Sequence, residues 1–316
     1  MTVCVAAIAE KTTVIGASDR MITAGDIEFE PGQAKMWNFT RSIWALVAGD
    51  MAIQASLMRE VHKEAQDWIV AKPETWLKVK DVAQLYCKKY RELLREQAEA
   101  AILHPLGLDL QSFLAKQSTM HADVVASIAQ KLSEFDFPSA LEAIFLGIDT
   151  DGPVKFPKGE TLVYSQIYVT EGDKLSWLTA VGFAAIGIGK SHAESQFMFS
   201  GHWPLKPFDE TILLTFAAKK RAEVAPGVGK DTDMVVIGPG LGTALKVEDK
   251  HVKELGRIYD RSRNATDKGV KKAQAETKIF VEQVKKEYKD KADAEKQTAG
   301  PLQDQSPKSQ NDESPS

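Results

Sequence analysis

Along the first fifty residues the apolar positions recur with the short period of β-strands. Thr2 to Ala9 is rich in small and β-branched residues, Glu10-Lys11 is a polar turn, and Thr12 to Ala17 resumes the pattern. Ser42 to Ala48 alternates Ile43, Ala45 and Val47 against Trp44, Leu46 and Ala48, and Gly49-Asp50 stops the run. The period then lengthens. Ile53, Leu57, Val61 and Ala65 fall at successive i,i+4 positions, which predicts an amphipathic helix ending at Lys72-Pro73. A second helix is predicted from about Val79 to Ala101, with Val82, Leu85, Tyr86 and Leu93 inward. After the break His104-Pro105-Leu106-Gly107, the positions Val124, Ile128 and Leu132 predict another helix.

Strands return at Leu141–Ile148, Thr161–Val169 and Leu175–Val181, punctuated by turns at Asp149-Thr150-Asp151-Gly152 and Glu171-Gly172-Asp173. Helices are predicted at about His192–Ser200 and Asp209–Val224. Closing strands follow at Asp233–Ile237 and Thr243–Val247, around Gly238-Pro239-Gly240. Strict βαβ alternation is missing, which disfavours a doubly wound parallel sheet. Blocks of strands separated by paired helices suit an α+β fold of two antiparallel sheets with helix layers outside. Residues 248–296 mix charges of both signs with sparse apolar positions and read as a solvated helical extension. Residues 297–316 hold no aromatic and one leucine. They bury too little to offset their ordering entropy, so a disordered tail is expected there.

Composition narrows the function classes. The chain has 316 residues and is 43% hydrophobic, enough for a sizeable core. A net charge of -4 implies no bulk attraction to nucleic acid or an anionic membrane, and no segment looks long and apolar enough to span a bilayer. Two cysteines, Cys4 and Cys87, argue against a disulfide framework and for a cytoplasmic location. Neither a metal nor a cofactor is expected. The histidines at 62, 104, 121, 192, 202 and 251 have no ligand spacing, and Gly189-Lys190-Ser191 fails as a phosphate loop because Ala184 stands where its first glycine is required.

Candidate chemistry begins at position 2. An N-terminal threonine carries its own base, the α-amine, whose reference pKa of roughly 7.7–8.0 leaves part of it neutral near pH 7. Clipping of Met1 would expose Thr2. Asp19 ends the second apolar run in Gly16-Ala17-Ser18-Asp19-Arg20, Lys35 follows 16 positions later, and Gly49 follows Lys35 by 14. This constellation resembles the proteasome β-subunit family, including the bacterial peptidase rings of that type. The likeness spans about residues 2–247: Leu146-Gly147-Ile148-Asp149 with Asp151-Gly152, Ala185-Ile186-Gly187-Ile188-Gly189 before a helix, and Gly240 are similar to family positions.

The resemblance implies a four-layer α-β-β-α sandwich, the N-terminal-nucleophile (Ntn) hydrolase fold, over residues 1–247. In it, 103–137 is a helical insertion and 248–296 a helical extension. It implies Thr2 as nucleophile and Lys35 as the cation that favours loss of its proton. Asp19 would orient Lys35, the Gly49 N–H would donate to an oxyanion, and Val47 would line the pocket for the preceding substrate side chain. The implied activity is that of a threonine-type peptidase on peptides or unfolded proteins, as a homo-oligomer open to an unfoldase partner. Two departures stand out. Ile188 replaces a family serine, and Arg221–Gly229 lacks the Asp and Ser that buttress the amine, with Glu223, Asp231 and Thr232 as candidate replacements. The alternatives are a weak or inactive proteasome-like scaffold subunit and an Ntn amidohydrolase acting on a small amide.

Overall fold

The structure is a computed structural model that describes residues 2–24, 27–30, 35–150 and 162–298. It is a mixed α+β fold with two antiparallel sheets of five strands each. The first sheet has the order β10 (Phe183–Ile186), β1 (Cys4–Ala9), β2 (Thr13–Asp19), β11 (Thr232–Ile237) and β12 (Ala244–Lys246). The second runs β5 (Met36–Thr40), β6 (Ile43–Ala48), β7 (Glu142–Thr150), β8 (Val163–Glu171) and β9 (Lys174–Trp177). A short hairpin joins β3 (Ile22–Ala24) to β4 (Ile27–Phe29).

The two sheets share one apolar cluster. Cys4, Ala6, Ile8 and Val235 from the first sheet meet Leu46, Ile144, Leu146 and Ile167 from the second. On the far face of the second sheet, Ile43, Ala45, Val47 and Phe145 pack against Leu57, Met58 and Val61 of helix α1 (Met51–Ala71) and Val82 and Tyr86 of helix α2 (Val79–Ile102). Every residue of β1 and β2 is buried, because helix α6 (Phe208–Ala222) lies against both strands on the face away from the second sheet. Burial on two faces explains why these strands read as near-continuous apolar runs. Helix α5 (Lys190–Phe199) packs on α6 and β10.

Several details differ from the sequence expectation. Residues 103–137 hold two helices, α3 (Leu110–Lys116) and α4 (Ala122–Glu134), after a 3-10 turn at His104–Leu106. They close over a cluster of their own, Leu103, Phe113 and Ile128. The expected strand 175–181 stops at Trp177, and β10 follows as a separate strand. The turn at 149–152 lies outside the described residues from position 151, as does the expected tail from 299 onward, and so does Met1.

The compact unit extends through Arg257, into helix α7 (Asp249–Thr298); a second unit comprises residues 258–316. Val252, in the first turns of α7, is buried, and Asp249 pairs with Arg20. From Arg261 to Ala294 the helix is exposed almost throughout, as its mixed charge requires. Among the described residues no helix is long and apolar enough to cross a membrane.

Candidate active site

Strand registry carries three of the predicted residues to one end of the sheets. Cys4 pairs with Ser18, so Thr2, just before β1, reaches Asp19 at the end of β2; the Asp19 N–H donates to the Val3 carbonyl at 3.1 Å. Met36 pairs with Leu46, and the Val47 N–H donates to the Lys35 carbonyl at 3.1 Å, which places Lys35 beside the end of β6. The side chains then close a triangle. The Thr2 hydroxyl donates to Asp19 Oδ1 at 2.5 Å. Lys35 Nζ donates to Thr2 Oγ1 and, at 3.0 Å, to Asp19 Oδ1. All three residues are buried, with exposures of 3% for Thr2, 0% for Asp19 and 1% for Lys35.

Asp19 is the hub of this arrangement. Its Oδ1 also accepts from the Val3 N–H at 2.9 Å, and its Oδ2 accepts from the N–H groups of Met21 at 3.1 Å and Gly229 at 2.9 Å. An ion pair taken out of water is stabilising only when its remaining hydrogen-bonding capacity is satisfied, and backbone donors supply that here. The paired charges leave Thr2 as a neutral hydroxyl that gives one hydrogen bond and accepts another from a cation, the polarisation a weak nucleophile needs.

The surroundings fit backbone to backbone. Gly187 follows β10 with φ +83°, and a Cβ there would lie 2.4 Å from the Thr2 carbonyl oxygen. Its N–H donates to Glu142 Oε2 at 2.6 Å, and burial raises the Glu142 carboxyl above the usual carboxylate range. Gly49 follows β6 with φ +109°, and a Cβ would lie 2.3 Å from the Ala140 carbonyl oxygen. Glycine is therefore required by local backbone packing whether or not its N–H meets an oxyanion. Val47 is fully buried in the cluster under α1 and α2. Its carbonyl accepts from the Cys4 thiol, which burial pushes far above its ordinary pKa despite the opposing charge of Lys35, so Cys4 stays protonated.

The positions that differ from the family each have a definite environment. Ile188 is half exposed. Glu223 accepts from Lys219 and Lys220, the Asp231 N–H donates to Glu30, and the buried Thr232 hydroxyl has no partner among the described residues. None of the three candidate replacements is bonded to Thr2 among the described residues. Sequence reasoning did not single out Lys219, Glu142 or the Gly229 N–H. For Lys219 the signal was present: it falls on the buried stripe of α6 with Thr211, Thr215 and Ala222.

The described residues contain no group of three or more His, Cys, Asp or Glu side chains able to hold a metal ion. A separate cavity of about 330 Å³, lined by Thr40, Arg41, Trp76, Leu77 and Leu241, opens at the other end of the second sheet. It shares no residue with the Thr2 centre. The chain matches no family model and no curated protein sequence.

Proposed function

We propose that the chain is a threonine-type amide hydrolase of the proteasome β-subunit kind, with Thr2 as nucleophile once Met1 is removed. The observation that carries the reading is the buried triangle of Thr2 Oγ1, Asp19 Oδ1 and Lys35 Nζ. The paired sheets with helices on their outer faces are read as the α-β-β-α sandwich of Ntn hydrolases.

In this reading the freed α-amine of Thr2 takes the hydroxyl proton, and the Lys35 ammonium stabilises the oxyanion of the side chain. Thr2 Oγ bonds to the substrate carbonyl carbon, and the negative charge that collects on the carbonyl oxygen is met by the Gly49 N–H. The C–N bond breaks as the amine leaves with the proton, giving an ester on Thr2. Water then attacks the ester carbonyl carbon, the C–O bond to Thr2 breaks, and the carboxylic acid product leaves as the hydroxyl regains a proton from the water. Val47, expected to line the pocket for the preceding substrate side chain, has no exposed surface and packs under α1 and α2, so it is proposed to back an apolar pocket from the core and not to face the substrate. The proposed substrates are peptides or unfolded proteins, handled in the cytoplasm by a homo-oligomer, with an unfoldase as a compatible partner.

A specific observation favours a second reading, a catalytically silent scaffold. The half-exposed Ile188 brings no hydroxyl to Thr2, and neither Glu223, Asp231 nor Thr232 is bonded to it. One experiment separates the two. The mature chain, with Thr2 verified as its first residue by mass, is incubated with a peptide epoxyketone or boronate. The enzyme reading expects attachment at residue 2 alone, none in Thr2→Ala, and a labelling rate lowered by about 100-fold or more in Lys35→Ala. Lys35→Arg is expected to fail as well, because a planar guanidinium cannot replace a compact ammonium in a closed site. An inert mature wild type selects the scaffold.

A further inference from the structure

A fully buried lysine on α6 has no place in the chemistry above. Lys219 has no exposed surface, and burial lowers its pKa against the opposing pull of Glu223. All three donors of its ammonium are used. They reach Glu223 Oε1 at 2.6 Å, the Gly229 carbonyl at 2.8 Å and the Lys230 carbonyl at 3.0 Å. The loop it grips leads from α6 into β11, and Gly229 in that loop donates its N–H to Asp19 Oδ2.

We infer that Lys219 is a positioning residue for the Thr2 centre, acting through the backbone of Gly229 on the carboxylate of Asp19. The inference rests on the proposed role of Thr2. Packing the α6 stripe needs only an apolar side chain, and a buried ammonium carries a desolvation cost that such a side chain avoids. What the ammonium adds is a donor to two consecutive carbonyls, that of the buried Gly229 at 2.8 Å and that of Lys230 at 3.0 Å, the latter also reached by Lys220 Nζ at 3.4 Å. Those carbonyls belong to the loop backbone that sets where the Gly229 N–H points. A Cβ on Gly229 would lie 2.1 Å from Glu30 Oε1 and 2.8 Å from Met21 Cβ, so the loop approaches as closely as a backbone can. Together with the Met21 N–H, the contact holds the Asp19 oxygen that neither Thr2 nor Lys35 uses, and so helps to fix the rotation of the carboxylate that presents Oδ1 to both. The arrangement gives Asp19 an anchor from the 221–229 stretch, where the family resemblance places side-chain hydroxyls and carboxylates around Thr2.

The test uses the full mature chain and two variants. Lys219→Met keeps the apolar stem and removes the ammonium, while Gly229→Ala keeps Lys219 and forces the loop off Asp19. Val61→Ala, in the cluster under α1 and α2, controls for loss of stability alone. Labelling of Thr2 by a peptide epoxyketone is followed by intact mass, which separates the rate constant at saturating inhibitor from the final labelled fraction. A partly unfolded population lowers the fraction. A displaced Asp19 lowers the rate constant and leaves the fraction whole. Both site variants are expected to lose about 100-fold in rate constant, the scale of a misplacement of about 1 Å, with unchanged half-saturating concentration, and Val61→Ala is expected to lose none. A wild-type rate constant in folded Lys219→Met overturns the inference, and if that variant does not fold, Gly229→Ala decides by the same measure. If the wild type itself is not labelled, the hydrolase reading fails. The positioning claim is then judged on amide exchange at Gly229, expected roughly ten-fold faster in Lys219→Met than in wild type or Val61→Ala; equal protection overturns it.

Discussion

Asp149 is a carboxyl group with 3% of its surface exposed at the end of β7, and burial pushes its pKa up from 3.8 to about 6. The folded state therefore holds its proton more tightly than the unfolded chain does. The stability this contributes is complete below about pH 4 and is lost as pH rises through about 6. Asp149→Asn keeps an acceptor for the Val79 N–H at 3.0 Å and removes the ionisation. It is expected to match wild type near pH 4 and to exceed it by about 3 kcal/mol near pH 8, because each tenfold gain in proton affinity is worth about 1.4 kcal/mol. Denaturant midpoints of both proteins across that range check it, and a gap independent of pH contradicts it. At this scale the sequence spoke clearly where strand registry converts spacing into contact: Thr2, Asp19 and Lys35 meet because Cys4 pairs with Ser18 and Met36 with Leu46. It was silent on Glu142 and Gly229, which reach Gly187 and Asp19 across 45 and 210 positions through packing that leaves no periodic trace.

Helix α1 begins two residues after Gly49, so its cap and the candidate oxyanion donor share a backbone turn. Asp50 caps it, accepting from Ala52 N at 2.8 Å and Ile53 N at 3.1 Å, and no acidic residue in the first turn assists. Asp50→Ala is expected to cost about 1 kcal/mol of stability. Because the cap is exposed, the loss should appear as a lowered unfolding midpoint with an unaltered denaturant slope; a variant as stable as wild type would show that packing on α2 and the second sheet fixes the helix start without the cap. Helix α2 solves the same problem differently. Its N-cap, Lys78, makes no side-chain capping bond, and the Val79 N–H is met by Asp149 from β7 instead. The long amphipathic helices and the doubly buried strands were legible because their periods persist over many residues. The β3–β4 hairpin and β10 were not, since three or four residues cannot establish a period, and β10 was absorbed into the reading of Ala185–Gly189 as a helix entry.

For the whole molecule, the question is where the folded unit ends. Mixed charge after residue 247 indicated a solvated helix, and α7 is one, yet its first turns belong to the core. Val252 is buried, and Asp249 receives Arg20 Nη2 at 2.8 Å while the same guanidinium binds Asp233. Sequence composition could not show this, because a lone valine and aspartate among charges carry no pattern. Two deletions separate the parts. Removing residues 262–316 takes away exposed surface and, beyond 298, residues whose composition buries little, so the thermal midpoint should hold within about 2 °C. Removing residues 249–316 uncovers the Val252 site and takes one carboxylate from Arg20, the residue that follows Asp19. That cut is expected to lower the midpoint by several degrees, about 4 °C or more for a loss of about 2 kcal/mol in a chain of this size. Equal midpoints for the two deletions would mean that the first turns of α7 only rest on the core, whereas a large loss in the shorter deletion would give the exposed helix a stabilising partner, such as a second copy of the chain, that its charge pattern does not suggest.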